Sequence, residues 1–452
     1  MRCKGSRSIG TTPGARTMPI FDAAALNAGV RPREVVAWAG YDFANSGYTT
    51  VVLTAVFNAY FVGVVAANAE WATFAWTLML GVSNALVMFA MPMIGAYADL
   101  RARKKWLLAL STGGCVAATA ALALVGPGDV ALATASIIAS NFFFMVGVAL
   151  IAAFLPELAR PEAIGKVSGW GWGFGYVGGL LTLALCLAYV QWAQSLGAAA
   201  SEFVPVTMLI TAAISALAAT PTLLVVRERA LPQEDARVGH FVHQATSRLM
   251  HTLRHIDRYR DFARLLLCGV FYQAGVMVVI ALAAIYAQDV MKFSFVQTMA
   301  LVLVVNVTAA VGAFVFGYLQ DAIGHKLALG LTLAMWLAMV LVAGLATSEA
   351  MFWVAANLAG LAMGSSQSAG RALAGLFAPS DRLAEFYGLW TFATQLAAIV
   401  GPISYGAVVY ATDNNHRLGI VLTGIFFVAG LLALASIDIG RGRRAAEAPD
   451  RA

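Results

Sequence analysis

One carboxylate lies on a polar stripe along an otherwise apolar stretch near the start of the chain. Asp42 is followed by Asn45, Ser46 and Thr49, a spacing that places all four side chains on one face of a helix. A carboxylate removed from water, with hydroxyl and amide groups beside it, can exchange a proton or bind an ammonium group. We therefore expect a coupling or substrate site at Asp42. The alternative is a structural carboxylate bonded to backbone or to a cation.

A second charged group interrupts a later apolar stretch. Arg371 lies between Ala350 and Ala378, and Gln367 precedes it by one helical turn. Its planar guanidinium can bind a substrate carboxylate, or it can pair with a carboxylate in another part of the chain and close a gate. A third interpretation is that the long side chain only reaches a polar surface from a helix end.

Uncharged polar residues in similar stretches extend the candidate site. Tyr272, Gln273 and Gln395 lie in apolar surroundings, where side chains of this kind bond a neighbouring helix or a solute. The spans contain no zinc-binding His/Glu pattern and no activated serine. The chain also lacks a Gly-x-x-x-x-Gly-Lys-Ser/Thr phosphate loop. We expect a polar, weakly charged solute site, with no catalytic residues, no cofactor and no metal.

Composition indicates which elements carry these residues. The chain has 452 residues, of which 60% are hydrophobic and 12% charged, whereas soluble proteins carry about 25% charged residues. Stretches of at least 20 residues without Asp, Glu, Lys or Arg occur at 43–69, 71–98, 106–128, 130–156, 167–201, 203–226, 265–288, 293–320, 327–348, 350–370, 386–412 and 418–437. Each is long enough to cross a membrane as a helix, and none alternates as barrel strands do. We predict an all-α integral membrane protein with twelve transmembrane helices.

The placement of the positive charges predicts the orientation. With twelve spans, all of the 29 Lys and Arg residues except Lys292 and Arg417 fall on the side of the N-terminal tail. Basic residues accumulate on the cytosolic side of membrane proteins. We expect both termini in the cytosol, with anionic inner-leaflet headgroups rather than nucleic acid as partners of these charges.

The chain contains a repeat. Gly95 and Asp99 lie at the end of the second stretch, and Gly317 and Asp321 lie at the end of the eighth with the same spacing. The predicted organisation is a cytosolic tail (1–33), a six-helix bundle (34–226), a cytosolic linker (227–264), a second six-helix bundle (265–440) and a cytosolic tail (441–452). Parallel six-helix halves that share a site are a transporter architecture.

Within the linker, apolar side chains recur at helical period over residues 238–256, and four histidines with Arg254 and Arg258 fall on the opposite face. This pattern is typical of a basic amphipathic helix on the inner leaflet. A metal site is the weaker interpretation, because no cysteine or carboxylate cluster accompanies the histidines.

The loop from Gly95 through Asp99 to Arg103 and Lys104 resembles the signature of the major facilitator superfamily, with Ala102 where the signature usually has glycine. Gly95 can allow a close approach of a neighbouring helix, and Asp99 can cap a helix N-terminus in the other half. Arg103 can reach Glu157 at the end of the fourth span. The resemblance implies a major facilitator fold of two pseudo-symmetric bundles, with a conformational latch at this loop and its repeat.

Three further blocks narrow the resemblance. Residues 41–48, 154–179 and 367–402 are similar to the facilitator branch that includes the fungal autophagy-related vacuolar effluxers and their bacterial relatives. The resemblance implies amino acids or short peptides as solutes, and a bacterial inner membrane as the location.

We predict a monomeric secondary transporter that moves a small polar or zwitterionic solute by alternating access, with H⁺ as the coupling ion. The alternatives are a proton/drug efflux antiporter and a non-transporting sensor or scaffold on a transporter fold.

Overall fold

A computed structural model describes residues 22–232, 250, 257–293, 295–413 and 415–448, and these residues are almost entirely helical. The long helices are α1 (Pro32–Tyr48, continued by π-helical and short α-helical turns to Val65), α2 (Ala72–Arg101), α3 (Lys104–Ala121), α4 (Val130–Ala152), α5 (Ile164–Ser195), α6 (Ala200–Val225), α7 (Arg260–Asp289), α8 (Phe295–Ile323), α9 (His325–Leu345), α10 (Glu349–Leu376), α11 (Leu383–Ala411) and α12 (His416–Ala435), followed by the short α13 (Ile439–Glu447). In the described part of the chain, the extended pairing is an isolated bridge between Leu26 and Ala159. The predicted all-α class is confirmed.

Eleven of the described helices are long and apolar enough to cross a membrane. The remaining long helix, α10, has a comparable length but carries Gln367, Arg371 and several serines, which lower its hydropathy. Its length of 28 residues still spans the hydrocarbon region. The described long helix that falls short of this hydropathy is therefore one that holds candidate site residues.

The two halves pack in the same pattern. In the N-terminal half, α1 packs on α5 and α6, α4 packs on α2 and α3, and α3 packs on α6. In the C-terminal half, α7 packs on α11 and α12, α10 packs on α8 and α9, and α9 packs on α12. Between the halves, α2 packs on α11 and α5 on α8, which are equivalent pairs in the repeat.

Both ends of the described chain and every second loop between the long helices lie at one end of the molecule, which we call the terminal face. It consists of residues 22–31, 102–103, 153–163, 226–229, 257–259, 324, 377–382 and 436–448. The loop at 102–103 turns through Ala102, which has φ of 49°. A non-glycine residue in this left-handed region is uncommon and glycine adopts it readily, and Ala102 stands where the signature usually has glycine.

The described terminal segments form hydrogen bonds with the helical bundle. Residues 22–31 pack on the loop after α4, where Asn27 N–H donates to Leu158 O and Arg160 Nε donates to Leu26 O. At the other end, Asp438 caps α13, and Arg441 bonds Asp261 on α7 through two N–H groups. The predicted amphipathic helix at 238–256 lies outside the described residues, apart from Met250.

Candidate functional site

The two charged residues singled out by sequence meet between the halves. Nη1 of Arg371 on α10 lies 2.7 Å from Oδ2 of Asp42 on α1. Their side chains are 7% and 12% exposed. The guanidinium therefore points into the protein across the interface, and the alternative in which it reaches a polar surface does not describe this geometry.

The rest of the guanidinium is also held by the N-terminal half. Nε donates to Ser168 Oγ at 3.1 Å and Nη2 donates to Ser168 O at 2.7 Å. The guanidinium carbon lies 4.8 Å from the ring centre of Trp38 and 5.4 Å from that of Trp172. We call Asp42, Ser168, Trp38 and Trp172 the cation cage. Both tryptophans and Ser168 were missed as site residues, although Trp38 stands one helical turn before Asp42.

Local sequence explains how the cage fits together. A Cβ at Gly171 would lie 2.6 Å from Nη2 of Arg371 and 2.7 Å from the Trp38 ring, and closer still to the Asp42 carboxylate. Trp38 is held in place because its Nε1 donates to Ile151 O at 2.8 Å. Within the C-terminal half, Tyr387 OH donates to Arg371 O at 2.7 Å and so holds the backbone from which the guanidinium extends. The cage thus requires glycine at position 171.

The other polar residues on the same face of α1 as Asp42 lie in two different environments. Ser46 faces α5, where its Oγ lies 3.0 Å from the position of a Cβ on Gly175. Asn45 lines a cavity of about 20 Å³ inside the N-terminal half, and its Nδ2 has no partner among the described residues. Thr49 donates to Asn45 O, at the point where α1 becomes π-helical. A cavity of this size holds one water molecule, so Asn45 lines a separate, water-sized space.

The polar residues of the C-terminal half form a second group. Gln273 on α7 and Gln367 on α10 exchange side-chain hydrogen bonds of 3.0 and 3.4 Å. The Tyr272 hydroxyl and Gln395 Nε2 are buried without a partner in the described part of the chain. Gln367 lies one turn from Arg371, so the glutamine pair extends the polar surface along α10.

The two repeat-related aspartates make equivalent contacts across the interface. The Asp99 carboxylate accepts from Glu385 N–H at 2.8 Å, at the N-terminus of α11. The Asp321 carboxylate accepts from Gly165 N–H and Lys166 N–H at 3.0 and 2.8 Å, at the N-terminus of α5. A negative charge is favourable there because the first helical N–H groups are free and the helix dipole is positive at that end.

Two glycines allow these contacts. A Cβ on Gly95 would overlap the Ala384 carbonyl, and Gly317 packs on the backbone of Gly169. Farther along α2 and α11, the halves also meet at the ring pair Phe89 and Phe392, whose centres are 6.4 Å apart and in which Phe89 is exposed. In this structure the halves are therefore closed against each other at the terminal face.

The predicted pairing of Arg103 with Glu157 is wrong. Glu157 forms an ion pair with Lys104, whose side chain is fully buried, and Arg103 is exposed. The left-handed turn at Ala102 starts α3 at Lys104, and the Lys104 ammonium also lies over the Phe154 ring. Glu157 further accepts from Arg229 N–H, and Arg229 pairs with Glu34.

The family model described as "Vacuole effluxer Atg22 like" matches residues 58–447. The "Uncharacterized MFS-type transporter YxiO" of Bacillus subtilis (strain 168) is 26% identical over 407 residues, covering 89% of this chain and 94% of that protein. Among solved structures, the human organic anion transporter MFSD10 (TETRAN) gives a TM-score of 0.67 at 14% identity, covering 89% of this chain and 99% of that one. The proton:xylose symporter XylE gives 0.67 at 16% identity, covering 90% and 95%.

These relatives are transporters and not enzymes, and the solved structures share the major facilitator fold. The similarity extends over most of the chain and includes both halves. The chain is a multi-pass integral membrane protein of the MFS transporter type, and it belongs to the Atg22-like vacuole effluxer family.

Proposed function

We propose that this protein is a secondary active transporter that moves a small polar or zwitterionic solute, with amino acids or short peptides favoured, in exchange with or together with protons. The observation that carries the proposal is the ion pair between Asp42 and Arg371, which joins the two halves at 2.7 Å. Ionisable residues in membrane spans are costly and mark solute or proton pathways.

A zwitterion is complementary to this pair. Its ammonium group can bind the Asp42 carboxylate, and its carboxylate can bind the Arg371 guanidinium through two parallel N–H bonds. Binding in this way separates the two residues without leaving either charge unpaired. The Gln273 and Gln367 amides and the partnerless Tyr272 and Gln395 groups supply neutral hydrogen bonds to the remainder of the solute.

Protons can act on the same bond. Protonation of Asp42 removes its charge and weakens the attraction that holds Arg371 against the N-terminal half. The contacts of Asp99 and Asp321 close the same face of the molecule, so loss of the ion pair favours separation of the halves there. The solute and the proton thus both bias the equilibrium between the two access states, as coupling requires.

The distribution of basic residues supports placing the terminal face in the cytosol of a bacterial inner membrane. Of the 29 Lys and Arg residues, Lys292 and Arg417 are the two that belong to loops of the opposite side. Anionic headgroups are suitable partners for those of the remaining basic residues that are exposed, unlike Arg371 and Lys104, which are buried and paired.

The test is uptake of pooled labelled amino acids and dipeptides into proteoliposomes, with and without an imposed pH gradient. Wild type should accumulate solute only with the gradient, and Asp42→Asn should lose that accumulation. Asp413→Asn is the matched control, because Asp413 is exposed and has φ of 51°, which asparagine adopts readily. Full gradient-driven uptake by Asp42→Asn would show that Asp42 does not couple transport to protons. Absence of uptake of any pool by folded protein would favour drug efflux or a non-transporting role.

A further inference from the structure

The cation cage belongs entirely to the N-terminal half. Trp38 and Asp42 come from α1, and Ser168 and Trp172 come from α5, two helices that pack closely on each other. All four cage residues therefore come from one half, and two of them also contact the other half: Ser168 Oγ donates to Ser368 O, and Trp172 packs in a cluster with Ala309 and Ala313. Arg371 is the part that enters it from the other half.

The contents of the cage define what it binds. It presents a carboxylate, a hydroxyl, a backbone carbonyl and two indole faces to a single guanidinium. Carboxylates and aromatic faces are the groups that bind organic cations in proteins. The indole N–H of Trp172 is buried and lacks a partner among the described residues, so the site retains a donor for an acceptor group elsewhere on the solute, since a guanidinium itself has only donors.

We propose that this cage is a binding site for a guanidinium group of the transported solute, and that Arg371 occupies it as a tethered substitute while the terminal face is closed. This inference rests on the proposed transport function and specifies the solute as one that carries a cationic group. The solute cation and Arg371 exclude each other from the cage. Displaced Arg371 is then free to bind the solute carboxylate.

Because Arg371 is attached to the C-terminal half, its occupancy of the cage depends on whether the two halves are closed against each other. While the halves are closed, Arg371 has a high effective concentration at the cage, and a free cation cannot compete with it. When the halves separate, that advantage is lost and the cage accepts a free guanidinium. Because the ligand binds only the state without Arg371, its binding favours that state.

The first experiment empties the cage by substitution. Purified full-length Arg371→Ala is titrated with methylguanidinium chloride, and intrinsic tryptophan fluorescence reports binding because two tryptophans line the site. Urea and NaCl at equal concentrations are the neutral and ionic-strength controls. We expect saturable binding to Arg371→Ala, none to wild type at the same concentrations, and at least about tenfold weaker binding to Asp42→Asn/Arg371→Ala. Equal responses to methylguanidinium and urea, or unchanged affinity without Asp42, would overturn the proposal.

A second route leaves the cage and Arg371 intact. Asp99→Asn/Asp321→Asn weakens the closed state through residues outside the cage, so it should bind methylguanidinium where wild type does not. Addition of Asp42→Asn should abolish that binding. This arm decides the question if Arg371→Ala does not fold, and a lack of binding by the loosened, folded variant would contradict the proposal.

The transport assay separates this inference from the function on which it rests. If wild-type proteoliposomes take up neutral zwitterions and methylguanidinium does not compete even at concentrations far above those that saturate Arg371→Ala, the cage assignment fails and the transporter proposal stands. If Arg371→Ala binds methylguanidinium through Asp42 but no amino-acid or dipeptide pool is accumulated, the cage stands and the proposed solute class fails. Competition by methylguanidinium, but not by urea, supports both.

Discussion

Asp99 and Asp321 make the same contact from opposite halves, because each carboxylate accepts hydrogen bonds from the first N–H groups of a helix in the other half. Asp99 bonds the start of α11, and Asp321 bonds the start of α5. Both contacts require the terminal face to be closed, so each of the two aspartates stabilises the closed arrangement of the halves.

Neutralising these aspartates should open the terminal face. Replacing a carboxylate at a helix N-terminus by an amide loses ~1 kcal/mol, which corresponds to about a fivefold larger open population for each substitution. Ser368→Cys in an otherwise cysteine-free chain reports opening, since Ser368 is fully buried beside Gln320 and Ser168. We expect faster alkylation in Asp99→Asn and Asp321→Asn, and an additive effect in the double variant. Unchanged alkylation in both would show that the contacts do not set the equilibrium.

The ion pair between Asp42 and Arg371 should appear as strong coupling in a double-mutant cycle. Asp42→Asn and Arg371→Gln each leave a buried charge without its partner, whereas the double variant removes both charges. We expect a lower unfolding temperature for each single variant, partial recovery in the double, and a coupling free energy of about 1–3 kcal/mol. Thermal unfolding in detergent measures all four proteins.

The control for this cycle is Asp413→Asn combined with Arg371→Gln. Asp413 is exposed in the loop between α11 and α12, remote in sequence from the cage. Its effect should add to that of Arg371→Gln within ~0.5 kcal/mol. Additivity in the Asp42 cycle as well would mean that the observed contact carries no net energy.

Much of the architecture follows from sequence, because a membrane span requires a long stretch without charge. The twelve stretches and the repeat of Gly95 and Asp99 predicted the helices and the equivalence of the halves. The partner of Asp42 could not be chosen in this way, since Arg371 is 329 residues away and had three plausible roles. A pairing at that distance depends on how the two bundles dock.

The sequence alone also could not decide which of two adjacent residues with similar chemistry makes a given contact. Arg103 and Lys104 are adjacent basic residues, and the left-handed turn at Ala102 decides which of them points inward. Trp38 carried a usable signal, because its spacing from Asp42 places both on one face of α1. Ser168 and Trp172 required the packing of α5 on α1.

A methyl group at Gly171 should disrupt the cage. The added Cβ would overlap the Asp42 carboxylate and approach Nη2 of Arg371 to 2.6 Å, so the ion pair must lengthen or break. We expect Gly171→Ala to lose gradient-driven uptake and to alkylate faster at Ser368→Cys. Gly113→Ala is the matched control, because a Cβ at Gly113 meets no atom within 4 Å. Since alanine favours a helix by about 1 kcal/mol over glycine, Gly113→Ala should be at least as stable as wild type. Normal transport by Gly171→Ala would show that the cage tolerates a wider separation than its geometry indicates.

Breaking the buried ion pair of Lys104 and Glu157 should lower the free energy of unfolding far more than replacing the exposed neighbouring residue, Arg103. Lys104→Met leaves the Glu157 carboxylate, 9% exposed, facing a hydrophobic side chain, and breaking such a pair costs about 3–5 kcal/mol. Arg103→Met changes an exposed residue and should alter the free energy of unfolding by no more than about 0.5 kcal/mol. Lys104→Met/Glu157→Gln should recover part of the loss, because no unpaired charge remains at this site. Thermal unfolding of the four proteins in one detergent provides the comparison. If Arg103→Met is instead the more destabilising variant, Glu157 is paired as the sequence pattern first indicated, and the turn at Ala102 does not direct Lys104 inward.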